Sequence, residues 1–133
     1  MTSIERPRVL CVDDDANVLA ALHRQLHRRY DVVLARGGTA GLERLRDEGP
    51  FAVVLSDLHM PDLDGRAFLT AARAIAPSTV AVLLTGSGDV VADDADLGRV
   101  AYRRVEKPCH PTVLWATLDA AVAHHARVAE PAP

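Results

Sequence analysis

The chain has 133 residues, room for one domain that buries about two-thirds of its unfolded surface and too few for a second, catalytic or DNA-binding, domain beside it. A hydrophobic fraction of 49% and a charged fraction of 25% are those of a soluble globular protein, and no apolar run approaches the roughly 18 residues of a membrane span. The net charge is −3, the acids gather at 13–15 and 89–96, and the opening MTSIERPR lacks a signal peptide's apolar core, so the expectation is a cytoplasmic protein without membrane or direct nucleic-acid contact.

After a polar lead at 1–7, Arg8 to Val12 reads as an apolar strand, and Asn17 to Arg29 follows with Val18, Leu19, Leu22 and Leu26 at helical spacing. Tyr30 to Ala35 is strand-like, and Thr39 to Glu48 is a short helix with Leu42 and Leu45 inward. Phe51 to Ser56 is a continuous apolar strand bounded by Gly49-Pro50. Asp64 or its neighbour caps a helix running to about Ala74, which must end before Pro77 because proline restricts the residue ahead of it. Thr79 to Leu84 is the fourth strand. Thr85-Gly86-Ser87-Gly88 is too glycine-rich for a regular element, and 89–97 has a weak helical pattern diluted by four aspartates. Val100 to Val105 is the fifth strand. The last helix starts at Pro111, where proline suits a first turn, and buries Val113, Leu114, Leu118, Ala121 and Val122. The domain is expected to span 8–126, with 127–133 as a flexible tail.

Five strands alternating with five helices imply an α/β fold, a parallel sheet covered by helices on both faces with right-handed crossovers. Such architectures include the doubly wound order 2-1-3-4-5, whose active edge lies between the first and third strands. Asp13, Asp14 and Asp57 end those two strands. Clustered carboxylates repel unless a cation compensates, and a hard, oxygen-seeking ion such as Mg²⁺, with Mn²⁺ as a substitute, suits them. Asp14 and Asp57 are the candidate direct ligands, and Asp13 the holder of a metal-bound water. Lys107, at the end of the fifth strand, can neutralise part of the cluster and bind a phosphoryl oxygen. Thr85, at the end of the fourth, can donate a hydroxyl hydrogen bond to another, and Gly86 keeps space open for an incoming group. One arrangement then unites four strand ends: in-line attack by an aspartate oxygen on phosphorus, with the growing charge balanced by cation and lysine.

As an ordered set, VDD at 12–14, SDLHMPDLDG at 56–65, LTG at 84–86 and KP at 107–108 resemble the receiver domain of two-component response regulators, over about residues 8 to 126. The resemblance implies a flavodoxin-like fold of order 2-1-3-4-5. It implies Asp57 as the phospho-acceptor, modified by phosphorylation, with Asp13 and Asp14 completing the acidic pocket. It further implies that the His59 backbone carbonyl ligates the metal, that Thr85 is the switch hydroxyl, and that the Lys107-Pro108 bond is cis. The implied phosphodonor is a histidine kinase or histidine phosphotransfer protein, and the phosphoryl group is lost by slow self-hydrolysis. Such a chain is a signalling phosphoacceptor rather than an enzyme turning over a metabolite. It signals to an output protein or domain through its fourth helix, fifth strand and fifth helix, as a monomer or weak homodimer.

Two positions depart from the family pattern. Arg104 stands where an aromatic switch residue is usual, and strand alternation predicts Tyr102 on the same face as a substitute. The acidic 89–96 stands where the family often presents a more amphipathic helix, a surface expected to be either locally mobile or tuned to a basic partner.

The rival readings are weaker. A phosphorylation-independent docking module with the same fold is compatible with Arg104, though not with intact acidic, hydroxyl and lysine positions. An aspartyl hydrolase would need a cap domain and a second acid two residues beyond Asp57, where His59 stands. The first strand-to-helix turn, DDDAN, lacks the glycines of a dinucleotide site. Cys11 and Cys109 have no metal-ligand spacing and are expected as free thiols.

Overall fold

The long apolar runs pair side by side into one sheet. In the computed structural model, which describes residues 6–86, 101–107 and 109–129, the elements are β1 (Arg8–Asp13), α1 (Ala16–Leu26), β2 (Asp31–Arg36), α2 (Gly38–Glu48), β3 (Val53–Asp57), α3 (Gly65–Ile75), β4 (Val80–Thr85), β5 (Arg103–Glu106) and α4 (Pro111–Ala129). The expectations for 89–97 and for the Lys107-Pro108 bond lie outside the described residues. All strand pairs are parallel, in the order β2-β1-β3-β4-β5. This is the expected flavodoxin-like arrangement. Both β3 and β4 are buried at every position, as strands covered on both faces require.

Alternation along the strands divides the core in two. Val9, Cys11, Val53, Leu55, Val82 and Leu84 face α1 and the last helix, where Leu19, Leu22, Leu26, Leu114 and Leu118 meet them. Leu10, Val12, Val54 and Leu83 face the other way, onto Leu45, Phe68, Leu69 and Ala72. Asp15 caps α1 by accepting from the Asn17 N–H at 2.8 Å, and Asp64 caps α3 by accepting from the Ala67 N–H at 2.9 Å.

Several boundaries differ from the sequence reading. α1 stops at Leu26 rather than Arg29, because the next residues are engaged in a tertiary seam. Tyr30 is buried with its hydroxyl bonded to Asp119, Arg29 pairs with Asp119 at 2.7 Å and lies over the Trp115 ring, and the Trp115 indole N–H donates to the Gln25 carbonyl at 2.8 Å. The last helix continues to Ala129, past the boundary expected at 126. Strands β1, β3 and β4 each run one residue further than their apolar runs, to Asp13, Asp57 and Thr85, since ladder hydrogen bonds extend to the polar residue that closes each run.

Tyr102 precedes β5, its ring stacks on His124 of the last helix at 4.5 Å, and it packs against the cluster that contains Val105. Arg104 is exposed and pairs in register with Leu83. Among the described residues no helix is long and apolar enough to cross a membrane.

Candidate functional site

Asp13, Asp57 and Thr85 are the final residues of β1, β3 and β4, so the sheet register brings them to one edge. Asp14 follows β1 directly and Lys107 follows β5. A carboxylate oxygen from each of Asp13, Asp14 and Asp57 lies within 4.8 Å of the others. The Lys107 ammonium stands 3.0 Å from Asp57 Oδ1 and 3.6 Å from Asp13 Oδ2. Thr85 is buried, and its carbonyl accepts from the Lys107 N–H at 2.7 Å, which ties the hydroxyl-bearing and cationic positions together through the last rung of the β4–β5 ladder.

Asp13 is 1% exposed. Its Oδ1 accepts from the Asp15 N–H at 2.9 Å, while its buried Oδ2 accepts no hydrogen bond from any described residue. An orphaned carboxylate oxygen beside two further carboxylates fits a hydrated divalent cation, whose bound water supplies the missing donor. Burial raises the Asp13 pKa, the nearby Asp57 and Asp14 charges add to the rise, and the Asp15 N–H and Lys107 oppose it. For Lys107, burial pulls downward, but the Asp57 hydrogen bond and the charges of Asp57 and Asp13 outweigh it and leave the ammonium above its ordinary value.

The sign of the Asp13 effect gives a stability prediction. A carboxyl whose folded pKa exceeds its unfolded value makes the metal-free fold take up a proton that the unfolded chain does not hold. Its penalty is therefore complete above the folded pKa and relieved as pH falls through it toward the unfolded value. Asp13→Asn is expected to raise metal-free stability at about pH 8 by on the order of 1 kcal/mol, and this advantage should shrink as the pH approaches about 4. Urea denaturation of both proteins across that range checks it. A constant offset would mean that the Asp13 charge is not the cause.

The segment 58–64 closes over the end of β3. Leu58 and Met60 are buried, His59 is exposed, and the Gly65 N–H donates to the Leu58 carbonyl at 2.7 Å. Gly65 is required by the close approach: a Cβ there would sit 2.5 Å from the Asp57 carbonyl oxygen and 2.7 Å from Leu58 Cα. The structure thus brings Asp13, Asp14, Asp57, Thr85 and Lys107 to one edge, with His59 two residues past Asp57. Tyr102 lies elsewhere: its N–H bonds to the Ala81 carbonyl, four residues before Thr85 and therefore about 13 Å away along the strand.

Two neighbours of the site are not evident from the sequence motifs. Arg36, the last residue of β2, donates from Nε to the Asp14 carbonyl at 3.2 Å. Asp62 accepts from the N–H groups that open α2. The one available signal was the start of α2 itself, Gly37-Gly38-Thr39, which offers no side-chain N-cap and so requires a partner from elsewhere.

A family model described as the response regulator receiver domain matches residues 9–119. The transcriptional regulatory protein PrrA of Mycobacterium tuberculosis is 44% identical over 75 residues, which cover 56% of this chain and 32% of that protein. ZraR of Escherichia coli K12, also named a transcriptional regulatory protein, is 33% identical over 117 residues, 87% of this chain and 26% of its own length. The chain therefore spans about a third or less of these curated relatives. Among solved structures, an adenylate cyclase from Rhodopirellula baltica superposes with a TM-score of 0.87 at 30% identity, covering 93% of both chains. The signal receiver domain of an HD domain-containing protein from Pseudomonas fluorescens Pf-5 superposes with a TM-score of 0.84 at 31% identity, covering 92% of this chain and 99% of the other.

Proposed function

The chain belongs to the response regulator receiver family, and on that premise we propose that Asp57 accepts a phosphoryl group from a histidine kinase or histidine phosphotransfer protein. The observation that carries this reading is the Lys107 ammonium 3.0 Å from Asp57 in a cluster of three carboxylates, one of which keeps an orphaned buried oxygen. Asp14, Asp57 and the His59 backbone carbonyl would hold Mg²⁺, with Asp13 acting through a bound water. When bound, the ion supplies positive charge beside the phosphoryl oxygens.

An Asp57 carboxylate oxygen attacks phosphorus in line, forming the O–P bond as the P–N bond to the donor histidine breaks, and the imidazole leaves with the electron pair of that bond. Lys107 already touches the nucleophile and follows the transferred charge onto an equatorial oxygen. Thr85 donates its hydroxyl to another. Hydrolysis later returns Asp57, with water as the attacking group. Receiver domains in this way phosphorylate and dephosphorylate themselves rather than turn over a metabolite.

Output runs through β5, the last helix and the 89–97 segment between β4 and β5. Tyr102 stands level with Ala81 and Arg104 with Leu83, two residues before Thr85, so a switch response at Arg104 would use a charged and flexible group in place of a ring. That departure is what favours the second reading, a docking module independent of phosphorylation. The names of the longer curated relatives support output through an attached or separate regulatory partner.

The test is intact mass after incubation with acetyl phosphate, with Mg²⁺ and with excess chelator. A gain of about 80 Da that needs the ion supports phosphotransfer. No gain from the small donor or from a kinase, with the fold intact, moves the assignment to the docking module.

A further inference from the structure

We propose that Asp62 is a positioning residue that fastens the loop supplying the metal's backbone ligand to the first turn of α2. The proposal rests on the reading of the acidic pocket as an Mg²⁺ and phosphoryl site.

The start of α2 is unusual. Its N-cap, Gly37, has φ +99° and no side chain to satisfy the first free N–H groups. Those of Gly38 and Thr39 are taken by Asp62, at 3.2 Å to Oδ1 and 3.0 Å to Oδ2. A carboxylate suits the positive end of a helix, and the Thr39 N–H draws the Asp62 carboxyl below its ordinary range against an opposing effect of burial, with the Gly38 N–H adding to the fall.

Two glycines clear the space for this contact. A Cβ on Gly37 would meet the Asp62 carboxylate at 3.0 Å, and one on Gly38 would meet Leu63 Cβ at 2.8 Å. The Gly37-Gly38 pair, which the phosphoryl chemistry leaves unexplained, thus leaves room for the β3–α3 segment.

The same segment is anchored at its other end by the Gly65 N–H to the Leu58 carbonyl, directly beneath Asp57. His59 lies between the two anchors. Asp62 itself is exposed, so its bonds add little to folding stability; what they restrict is the path of the chain between Asp57 and α2. With that path fixed, the His59 carbonyl is held in place before the cation arrives. Without it, binding must also order the loop. Outer residues that orient metal ligands commonly affect affinity by about 10–100-fold, and an exposed tie belongs at the lower end.

The experiment is calorimetric titration of the full chain with Mg²⁺ for wild type, Asp62→Ala and Asp62→Asn, with amide NMR of Gly38 and Thr39 and a thermal melt of each. Asp62→Ala is expected to weaken Mg²⁺ binding by about tenfold with little change in melting temperature. Asp62→Asn, which keeps an acceptor oxygen, should fall between, and serves if the alanine variant does not fold. Mg²⁺ should shift the Gly38 and Thr39 amides in wild type, and this shift should disappear in Asp62→Ala. Equal Mg²⁺ affinity in all three proteins overturns the positioning role and leaves the site reading standing. Failure of the wild type itself to take up Mg²⁺ overturns both.

Discussion

Asp57→Asn is expected to abolish the whole of the roughly 80 Da gain while the chain stays folded. The amide has nearly the same shape as the carboxylate, so it can occupy the end of β3 and keep the ladder to β1 and β4. It has no nucleophilic carboxylate oxygen. Lys107 loses its nearer partner but keeps Asp13 at 3.6 Å, and Asp13 loses one of the like charges that burden it. These changes oppose each other, so the expected stability change is within about 1 kcal/mol. Mg²⁺ binding should weaken as well, because one of three carboxylates is gone. Intact mass, a thermal melt and an Mg²⁺ titration on the same preparation decide the matter. A residual gain in the variant would show that Asp13 or Asp14 can itself be phosphorylated, and the assignment of a single acceptor would fall.

Gly65→Ala is expected to damage fold and function together. The added methyl would lie 2.5 Å from the Asp57 carbonyl oxygen, 2.7 Å from Leu58 Cα and 3.0 Å from the Leu58 carbonyl oxygen. All three are backbone atoms, so no side chain can swing aside. Either α3 withdraws or the end of β3 moves. Overpacking of this kind costs about 1–3 kcal/mol, and a backbone collision belongs at the upper end. The displaced element carries the nucleophile, and a misplacement of about 1 Å can cost about 100-fold in rate. The urea midpoint and the rate of mass gain are the two measurements. A loss of stability with an unchanged rate would show that α3 yields and β3 holds.

Much of the fold is legible in the sequence because β1, β3 and β4 are built on continuous apolar runs closed by a polar residue. Asp13 and Asp57 could be placed at strand ends on that ground alone, and the structure sets them at one edge. The motif order then pointed to Lys107 and Thr85, which the β4–β5 ladder joins. What resisted reading depends on partners distant in sequence. α1 ends early because Arg29 and Tyr30 reach Asp119 of the last helix, a contact that helical periodicity within one segment does not reveal. Tyr102 stacks on His124 of the last helix, a partner that the strand pattern alone does not show. Asp62 is one of several polar residues in SDLHMPDLDG, and its bonds to α2 follow only from a helix that begins on two glycines with no cap of its own.

The seam between α1 and the last helix has a practical side. Trp115 is the sole tryptophan of the chain, with its indole N–H engaged by the Gln25 carbonyl and its ring under the Arg29 guanidinium. Near-ultraviolet emission selectively excited in the indole therefore comes from a single, defined address. Any sliding or rotation of the last helix against α1 changes the polarity and hydrogen bonding at that address, so the unlabelled protein carries its own optical gauge of how its two ends fit together.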